Sequence, residues 1–375
     1  MKISEITTRR LQIDSQTWFA NAPRPKEFPP YFEYPLFTFD TDDGIQGHSM
    51  GYGPLGAGHG DARRMHDVYY HDLVGANPLH TEAIWQKIRL KNRHLYSMTD
   101  TLQGEIDVAL WDIKGKASGQ SISSLLGQYR DKVPLYRTHP PQLIRTEEQV
   151  RSKVRATIKE GYAGMKLQPL GGPALDLPRL RAARIEAGEN YPLMVDCSGS
   201  LSFVEALELG HSLDELNYTW FEEPIPDRNT YQLKRLADSL RLPVLAAETV
   251  SLQELPQYII EGAVDIARAD VRIKGGITGL VKSIHFCELL GVEVEIHTAA
   301  SPLLDVANLQ VACALPGSRF LEAHHDMFRF GLKGNPLAVD ADGCQRLPAG
   351  PGLGVEIDWD FVDNHTVELI NGPSW

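Results

Sequence analysis

From residue 133 onward, short runs rich in β-branched and aromatic residues alternate with segments whose apolar residues recur every three to four positions. Residues 146–161, one of the intervening segments, open with Thr146 and an acidic pair, which is typical of a helix N-terminus. Strands that alternate with helices in this way indicate parallel βα units. The runs lie at residues 133–138, 164–169, 192–198, 219–224, 243–249, 265–270, 293–298 and 319–324.

Eight such units at intervals of about 20 to 30 residues match the size of a (β/α)₈ barrel, and a doubly wound sheet rarely needs so many. No GxGxxG or GxxxxGK[ST] sequence follows any run, so a dinucleotide or P-loop site is not supported. We interpret Gly275 and Gly276, after the sixth run, as a tight βα turn whose N–H groups could also face an anion. The sequence therefore predicts an α/β barrel.

The chain on either side of the barrel follows other patterns. Residues 1–130 combine two strand-like segments, with a turn at residues 42–44, and helical segments from about residue 67 to 127. We predict an α+β capping domain there and the barrel domain at residues 131–330. Residues 331–375 are rich in Gly and Pro, which excludes a long helix, and we expect them to pack back on the capping domain.

Composition excludes several classes of function. The 375 residues include 49 Asp and Glu against 37 Lys and Arg, and the formal net charge of −12 opposes general binding to nucleic acid or anionic membranes. We find no pattern of a secretory signal or membrane span, and the four cysteines form no CxxC pair. We expect a cytoplasmic protein whose partner is a small molecule.

Three carboxylates occur at the ends of the third, fourth and fifth runs. Asp196, Glu222 and Glu248 follow one another at intervals of 26 residues, which predicts equivalent heights on neighbouring strands. The C-terminal ends of barrel strands form the active-site face, so these acids would repel one another there unless a cation is bound. Mg²⁺ prefers a few carboxylate oxygens, and no His or Cys in register favours zinc. The alternative is that each acid merely caps a helix. That explanation suits a single acid better than three acids in register.

The next two runs end with Asp270 and His297, 27 residues apart and again one barrel step. An Asp beside a His can hold the imidazole through Nδ1–H, raise its basicity and leave Nε2 directed at a substrate. A single His among the 13 of this chain would more often be packed or at the surface. The pairing with Asp270 is what favours His297 as a general base.

Lys166 and Gln168 lie two residues apart in the second run, so both side chains point into the barrel. A buried lysine requires an anionic partner, which is either a substrate carboxylate or an acid across the barrel. Glu322 in the eighth run completes the ring. It either donates a hydrogen bond or proton to a developing enolate oxygen, or pairs with Lys166.

These motifs resemble the enolase superfamily, and in particular its mandelate racemase-like subgroup, over essentially the whole chain. The resemblance implies a modified TIM barrel, (β/α)₇β, whose α+β capping domain is built from the N-terminus and the C-terminal tail. It also implies homo-oligomers and one Mg²⁺ per chain, in a site where a Lys or His base acts beside Mg²⁺ that stabilises an enediolate. The similar stretches are GEIDVALWDIKGKASGQSISSLLG (104–127), GMKLQP, VDCS, WFEEP, AAET, ADVRIKGGITG, IHT and FLEAH.

The resemblance also assigns roles to residues of this sequence. The base would be His297, which removes the proton alpha to a carboxylate, and Glu223 would point away from the metal, as strand alternation also requires. The expected metal ligands are Asp196, Glu222 and Glu248. The expected catalytic residues are His297, Asp270, Lys166 and Glu322, and the expected substrate-binding residues are Lys166, Gln168 and Ser198.

Two positions depart from the subgroup. Its racemases have Lys-x-Lys on the second strand, and here Gln168 replaces the second lysine, so a second base is missing and inversion of a stereocentre is disfavoured. Dehydration of a sugar acid to a 2-keto-3-deoxy acid is the better interpretation. Ser198 stands where many relatives have Asn and several dehydratases have a His. The acid for the leaving hydroxyl is therefore open between His297 in a syn elimination, a Tyr, Glu322 and a metal-bound water.

Two other functions stay open. A racemase or epimerase would need another base in place of Gln168, and a catalytically silent protein that only binds sugar acids would need no positioned base. Residues 18–30 and 49–64 have the Gly, Pro and aromatic content of lids over a polyol substrate, or of ordinary loops.

Overall fold

The computed structural model describes residues 1–16, 24, 26, 28–54, 57–95, 100–323 and 328–375. An antiparallel sheet and a group of helices precede the barrel, as predicted, and Gly44 at φ +76° closes the expected turn. The strands are β1 (Ile3–Asp14), β2 (Tyr31–Thr41) and β3 (Gln46–Met50). The helices are α1 (Ala57–Arg64), α2 (Tyr70–Leu73), α3 (Thr81–Leu95), α4 (Asp100–Ser118) and α5 (Ile122–Leu126).

A closed barrel of parallel strands follows, in chain order, with the last strand hydrogen-bonded to the first. It contains the eight strands that the sequence predicts. They are β4 (Lys132–His139), β5 (Gly164–Leu167), β6 (Leu193–Asp196), β7 (Trp220–Glu222), β8 (Val244–Ala246), β9 (Ile266–Ala269), β10 (Glu293–Ile296) and β11 (Leu321–Ala323).

Each of the first seven barrel strands is followed by a helix, which confirms the (β/α)₇β architecture. Thr146 caps the first of these helices in a reciprocal capping box with Gln149, so the predicted N-terminus is also confirmed. The helices are α6 (Glu147–Lys159), α7 (Pro173–Ala187), α8 (Phe203–Glu215), α9 (Thr230–Ser239), α10 (Leu255–Ile260), α11 (Gly276–Leu289) and α12 (Pro302–Ala314).

The C-terminal tail contacts both parts of the fold. It contains β12 (Cys344–Arg346), α13 (Trp359–His365) and β13 (Thr366–Asn371). β13 pairs antiparallel with β1 of the cap, and β12 pairs antiparallel with β4 of the barrel. The tail thus completes the cap sheet, as expected, and also covers one barrel strand. The domain limits at residues 130 and 330 stay a prediction.

Inward-facing side chains form two layers in the barrel. The lower layer is buried and mostly apolar: Tyr136, Met194, Trp220, Leu245, Ile266 and Phe320. Side chains two residues apart on a strand share a face, so the next layer lies directly above it, toward the C-terminal strand ends. That layer is polar: Thr138, Asp196, Glu222, Arg268 and Glu322. The apolar floor therefore presents a ring of charges to the active-site face.

The GGITG sequence joins the cap to the barrel. Gly276 has φ +94°, and a Cβ there would lie 2.4 Å from Asp107 of α4, so a side chain is excluded. Asp107 accepts hydrogen bonds from the Thr278 backbone N–H (2.8 Å) and hydroxyl (2.7 Å). Trp111 of α4 donates to the same hydroxyl over 3.0 Å. These glycines thus serve a βα turn packed against α4.

Three other expectations concern the chain as a whole. No described helix is long and apolar enough to cross a membrane. Cys197, Cys287, Cys313 and Cys344 are all free and buried. The two suggested lids lie partly outside the described residues, at positions 18–23, 25, 27, 55 and 56, whereas residues 57–64 form helix α1.

Candidate active site

The nine residues that the sequence predicts for the site lie in one network of contacts at the C-terminal ends of the barrel strands. Lys166 lies within β5 and Glu322 within β11, while Asp196 and Glu222 end β6 and β7. The others follow a strand end by one or two residues: Gln168, Ser198, Glu248, Asp270 and His297. Each of the nine has at least one partner in the network within 4.0 Å.

Two buried cations and two buried carboxylates alternate at the bottom of the site. Lys166 Nζ lies 2.9 Å from Glu222 Oε1 and 3.1 Å from Glu322 Oε1. Arg268 Nε lies 3.0 Å from the same Glu222 oxygen, and Arg268 Nη2 donates to Glu322. Nη2 also donates to the Tyr136 hydroxyl over 2.8 Å. We call Lys166, Glu222, Arg268 and Glu322 the charge square.

The charge square keeps its cations charged although Lys166 is 1% and Arg268 0% exposed. Burial lowers the pKa of Lys166, and Arg268 lowers it further, but Glu222 and Glu322 raise it by more, to well above its usual value. Of the two alternatives for Lys166 and Glu322, their mutual pairing is therefore present in this structure. Their catalytic roles stay predictions.

The His–Asp pair has the predicted geometry. His297 Nδ1 lies 3.0 Å from Asp270 Oδ2, and the other Asp270 oxygen accepts a 2.8 Å hydrogen bond from the Ile273 backbone N–H. The imidazole is thereby fixed in orientation. His297 Nε2 lies 3.6 Å from Glu248 Oε2 and 4.0 Å from Glu322 Oε2, so its free nitrogen is directed at the acids of the site.

We expect the metal-free His297 imidazole to titrate above 6.5. Burial lowers its pKa, but Glu248, the hydrogen bond to Asp270 and Glu322 raise it by more. Because only the neutral imidazole accepts a proton, its capacity as a base increases as pH rises through this pKa. NMR titration of the histidine rings measures the midpoint, which Asp270→Asn lowers.

An internal control is present in the same spectrum. His48 has its pKa lowered to about 3 by burial and by the charges of Lys116 and Arg9, so it stays neutral between about pH 5 and 8. A wild-type His297 midpoint at or below 6.5, or no change in Asp270→Asn, contradicts the described electrostatics.

Gln168 and Ser198 both contact Asp196. Gln168 Nε2 lies 3.4 Å from Asp196 Oδ2, and the Ser198 backbone N–H donates to Oδ1 over 2.9 Å. Ser198 has φ +47°, which turns its backbone toward the carboxylate. Both residues thus orient Asp196, and their contact with substrate stays a prediction.

The expected equal height of the three acids is only partly correct. Asp196 and Glu222 are direct neighbours in the sheet, but Glu222 pairs with Leu245, three residues before Glu248. Equal sequence spacing fails to give equal height there because barrel strands are staggered and Ala247, at φ +74°, departs from the strand. Glu248 therefore lies beyond the end of its strand.

Lys274 holds the segment that carries Glu248. Its Nζ donates to the carbonyl oxygens of Ala247 (2.8 Å), Glu248 (2.9 Å) and Val250 (2.6 Å). Burial lowers the pKa of Lys274 to about 8, with nearby acids including Asp270 opposing the shift. The lysine thereby fixes an irregular segment that has no strand partner at Glu248.

The backbone at Glu223 departs from a regular strand, and the expectation that its side chain points away from the metal stays a prediction. Its φ of +39° ends the strand alternation on which that expectation rested. Burial raises the pKa of its carboxyl to about 10, together with repulsion from Glu248, Asp227 and Asp196. Asp196, Glu222 and Glu248, which we call the acid cluster, all act on Glu223 electrostatically.

The donor chemistry of this cluster suits a hard divalent cation. Carboxylate oxygens come from adjacent strand ends, and repulsion from neighbouring acids adds to burial in raising the pKa of Glu223. Among the described residues, however, no three His, Cys, Asp or Glu side chains lie close enough together to hold a metal ion. Glu222 explains this, because Oε1 faces Lys166 and Arg268 and Oε2 accepts a 3.1 Å hydrogen bond from Trp220.

Arg268 and Lys274 are functional candidates that the sequence analysis missed. Arg268 lies two residues before Asp270 in the sixth run, so strand alternation could have placed both side chains inside the barrel. No comparable signal exists for Lys274, since its three partners are backbone carbonyls of a segment 24 to 27 residues away.

Comparison with known proteins agrees with this geometry. The Enolase C-terminal domain-like family matches residues 149–361, and the N-terminal domain of the mandelate racemase / muconate lactonizing enzyme family matches residues 33–127. The chain is 29% identical to the D-galactarolactone cycloisomerase of Agrobacterium fabrum, over 96% of this chain and 98% of that protein. It is 33% identical to the arabinonate dehydratase of Saccharolobus solfataricus, over 67% of this chain and 68% of that protein.

A solved structure extends the similarity to the whole fold. D-glucarate dehydratase from Agrobacterium tumefaciens, crystallised with magnesium, superposes with a TM-score of 0.85 at 29% identity, covering 98% of this chain and 100% of that one. The two family matches agree with the fold, a barrel with a cap. The chain belongs to the mandelate racemase / muconate lactonizing enzyme family of the enolase superfamily.

Proposed function

We propose that this protein is a Mg²⁺-dependent hydro-lyase that converts a sugar acid into a 2-keto-3-deoxy acid. The observation that carries the proposal is the single His297–Asp270 pair, with a nitrogen-to-oxygen distance of 3.0 Å, facing the acid cluster. Gln168 stands where a second base would be needed for inversion. The dehydratases among the relatives support the same chemistry.

The reaction begins with transfer of the C2 proton to His297 Nε2. The electron pair of the C2–H bond enters an enediolate, and Asp270 stabilises the imidazolium that forms. The C3–O bond then breaks, and the hydroxyl group takes a proton and leaves as water. The enol that remains loses its O–H proton and accepts a proton at C3, which gives the ketone. Lys166 provides a fixed positive charge beside the substrate carboxylate.

The proton for the leaving hydroxyl is assigned to His297. Having just received the C2 proton, the imidazolium can donate it to the leaving C3 hydroxyl on the same face of the substrate. This is a syn elimination. Glu322 is less suited to this task because Lys166, Arg268 and the Thr138 hydroxyl all donate to its carboxyl group.

The proposed metal ligands are Asp196, Glu222 and Glu248, holding one Mg²⁺ per chain. When bound, the cation supplies charge stabilisation for the developing enediolate. Glu222 must then exchange part of its contact with Lys166 and Arg268 for the metal. Lys274 and Ser198 position the segments of Glu248 and Asp196 for this task.

Glu248→Gln is expected to weaken Mg²⁺ binding by about 100-fold, because a charged oxygen ligand is lost from a site of few ligands. Calorimetric titration of the metal-free protein measures the effect. Glu261→Gln, which replaces an exposed acid at the C-terminal end of α10, serves as the control and leaves the titration unchanged. An unchanged titration of Glu248→Gln removes Glu248 from the ligand set.

An isomerase is the second candidate. The cycloisomerase relative spans nearly the whole chain, and a racemase or epimerase would use the same His297–Asp270 pair. An isomerase of this kind interconverts substrates without releasing water, whereas the dehydratase produces a ketone.

A screen of the Mg²⁺-loaded protein against mono- and dicarboxylic sugar acids tests the proposed function. Semicarbazide detects 2-keto-3-deoxy products by absorbance, and a hit also identifies the configurations at C2 and C3. The proposal fails if no acid of the set yields a ketone. Loss of the alpha proton to D₂O would then indicate an isomerase, and no exchange would indicate a protein that only binds sugar acids.

A further inference from the structure

Arg272 lies where the barrel meets the cap. It follows Asp270 by two residues, and its guanidinium carbon lies 4.2 Å from the centroid of the Tyr52 ring. Tyr52 belongs to the segment after β3, and its backbone N–H donates to Glu105 of α4 over 3.2 Å. The guanidinium therefore occupies the boundary between the base pair of the barrel and the cap.

Within the part of the chain that the structure describes, the charge of Arg272 is not matched by a direct ion pair. Asp270, Glu248 and Glu105 are near enough to interact with it electrostatically. Within the described ranges, however, no carboxylate oxygen lies within 4.0 Å of Arg272. The oxygens of Asp270 are engaged by His297 and the Ile273 N–H. A guanidinium has five N–H donors, and besides the hydrogen bond with Tyr52 the Nε of Arg272 has no partner among the described residues.

Three buried polar atoms without partners belong to Arg272 and to two groups that interact with it electrostatically. Tyr34 Oη, Glu105 Oε2 and Arg272 Nε are all buried and have no hydrogen-bond partner among the described residues. Tyr34 and Glu105 are 0% exposed, and both interact electrostatically with Arg272. Buried polar groups are normally satisfied, so an unpaired Arg272 Nε, with two further unpaired polar groups in electrostatic reach, favours a polar ligand at this place.

We propose that Arg272, stacked on Tyr52, binds a second carboxylate of the substrate, so that the preferred substrate is a dicarboxylic sugar acid. This inference rests on the proposed function, because the reacting carboxylate is bound at the acid cluster. Arg272 follows the Asp270 of the base pair and faces the cap, so its ligand is the end of the substrate remote from the reacting carbon. A guanidinium matches a planar carboxylate with two parallel hydrogen bonds.

The alternative is that Arg272 only balances the charge of Asp270 and thereby positions the base. These two roles differ in one respect. A subsite for the remote carboxylate affects diacids alone, whereas positioning of the base affects every substrate equally.

Paired kinetics distinguish the two roles. The substrates are a six-carbon dicarboxylic sugar acid and the monocarboxylic acid of the same configuration, and the variants are Arg272→Met and Arg272→Lys. We expect wild-type kcat/KM to favour the diacid by about 100-fold, and Arg272→Met to abolish this preference while changing the monoacid value by less than about 3-fold. Arg272→Lys keeps the charge and recovers part of the preference. Arg241→Gln, a surface arginine paired with Asp214, controls for net charge.

Calorimetry on His297→Asn supplies a readout that needs no turnover. In this background the diacid should bind more tightly than the monoacid, and Arg272→Met should abolish the difference. The inference is overturned if the wild type treats both acids alike, or if Arg272→Met lowers both values equally. If neither acid is dehydrated but the difference in binding depends on Arg272, the proposed function fails while the subsite stands.

Discussion

His297→Asn is expected to lower kcat by about 10³-fold or more, because it removes the only proposed base while keeping the volume and polarity of the side chain. The asparagine amide can still donate to Asp270, so the arrangement of the strand ends is retained. Steady-state kinetics with the acid identified by the screen give kcat, and calorimetry gives Mg²⁺ affinity. We expect the affinity for Mg²⁺ to change little.

His285→Asn is the matched control for this variant. His285 is an exposed residue of α11, and its replacement should leave kcat unchanged. Retained turnover in His297→Asn would show that another group removes the proton. A large loss of Mg²⁺ binding would show that the variant disturbs the acid cluster. The Asp270→Asn variant, which keeps the His297 base, would then test the role of the His297–Asp270 pair.

Arg268→Met is expected to destabilise the metal-free protein by about 3 to 5 kcal/mol, because it leaves Glu222 and Glu322 buried with one cation instead of two. Arg268 is fully buried and contacts both carboxylates, so no solvent screens the loss. Urea unfolding of wild type and variant, each without metal, gives the difference in unfolding free energy.

A second substitution tests the charge square itself. Glu322→Gln in the Arg268→Met background removes the unbalanced charge, so it should recover part of the lost stability although it adds a mutation. Arg241→Met at the surface should have little effect, since exposed ion pairs contribute little. Full stability of Arg268→Met, or a further loss in the double variant, contradicts the described charge balance.

Most of the barrel could be predicted from the sequence, for a physical reason. Barrel strands are buried on both faces, so they appear as short apolar runs between amphipathic helices. All eight runs coincide with a strand, and seven of the strands are shorter than their runs, whereas β4 is longer. The run at 243–249, for example, yields only Val244–Ala246, because Ala247 leaves the extended conformation.

The site could be predicted where its residues share a strand position. Asp270 and His297 each follow a strand end by one residue, and their strands pair in register, so the 27-residue interval correctly placed them together. Glu223 and Glu248 could not be placed in this way. Their positions depend on backbone angles at Glu223 and Ala247 that strand alternation does not describe.

Contacts between cap and barrel were beyond sequence reasoning. Tyr52 and Arg272 are 220 residues apart, and neither lies in a periodic pattern that includes the other. The same holds for Asp107 and Thr278, which join α4 to α11. Only the closed fold brings such residues together.

In the proposed reaction a single base, His297, removes the C2 proton, and water then leaves. The most direct measurement follows a C2-deuterated substrate of the screen by NMR, with Mg²⁺ present. We expect a 2-keto-3-deoxy product that has lost the C2 deuterium, a primary isotope effect on kcat/KM, and recovered substrate without inversion at C2. Recovered substrate inverted at C2, with no ketone formed, would contradict the proposed reaction.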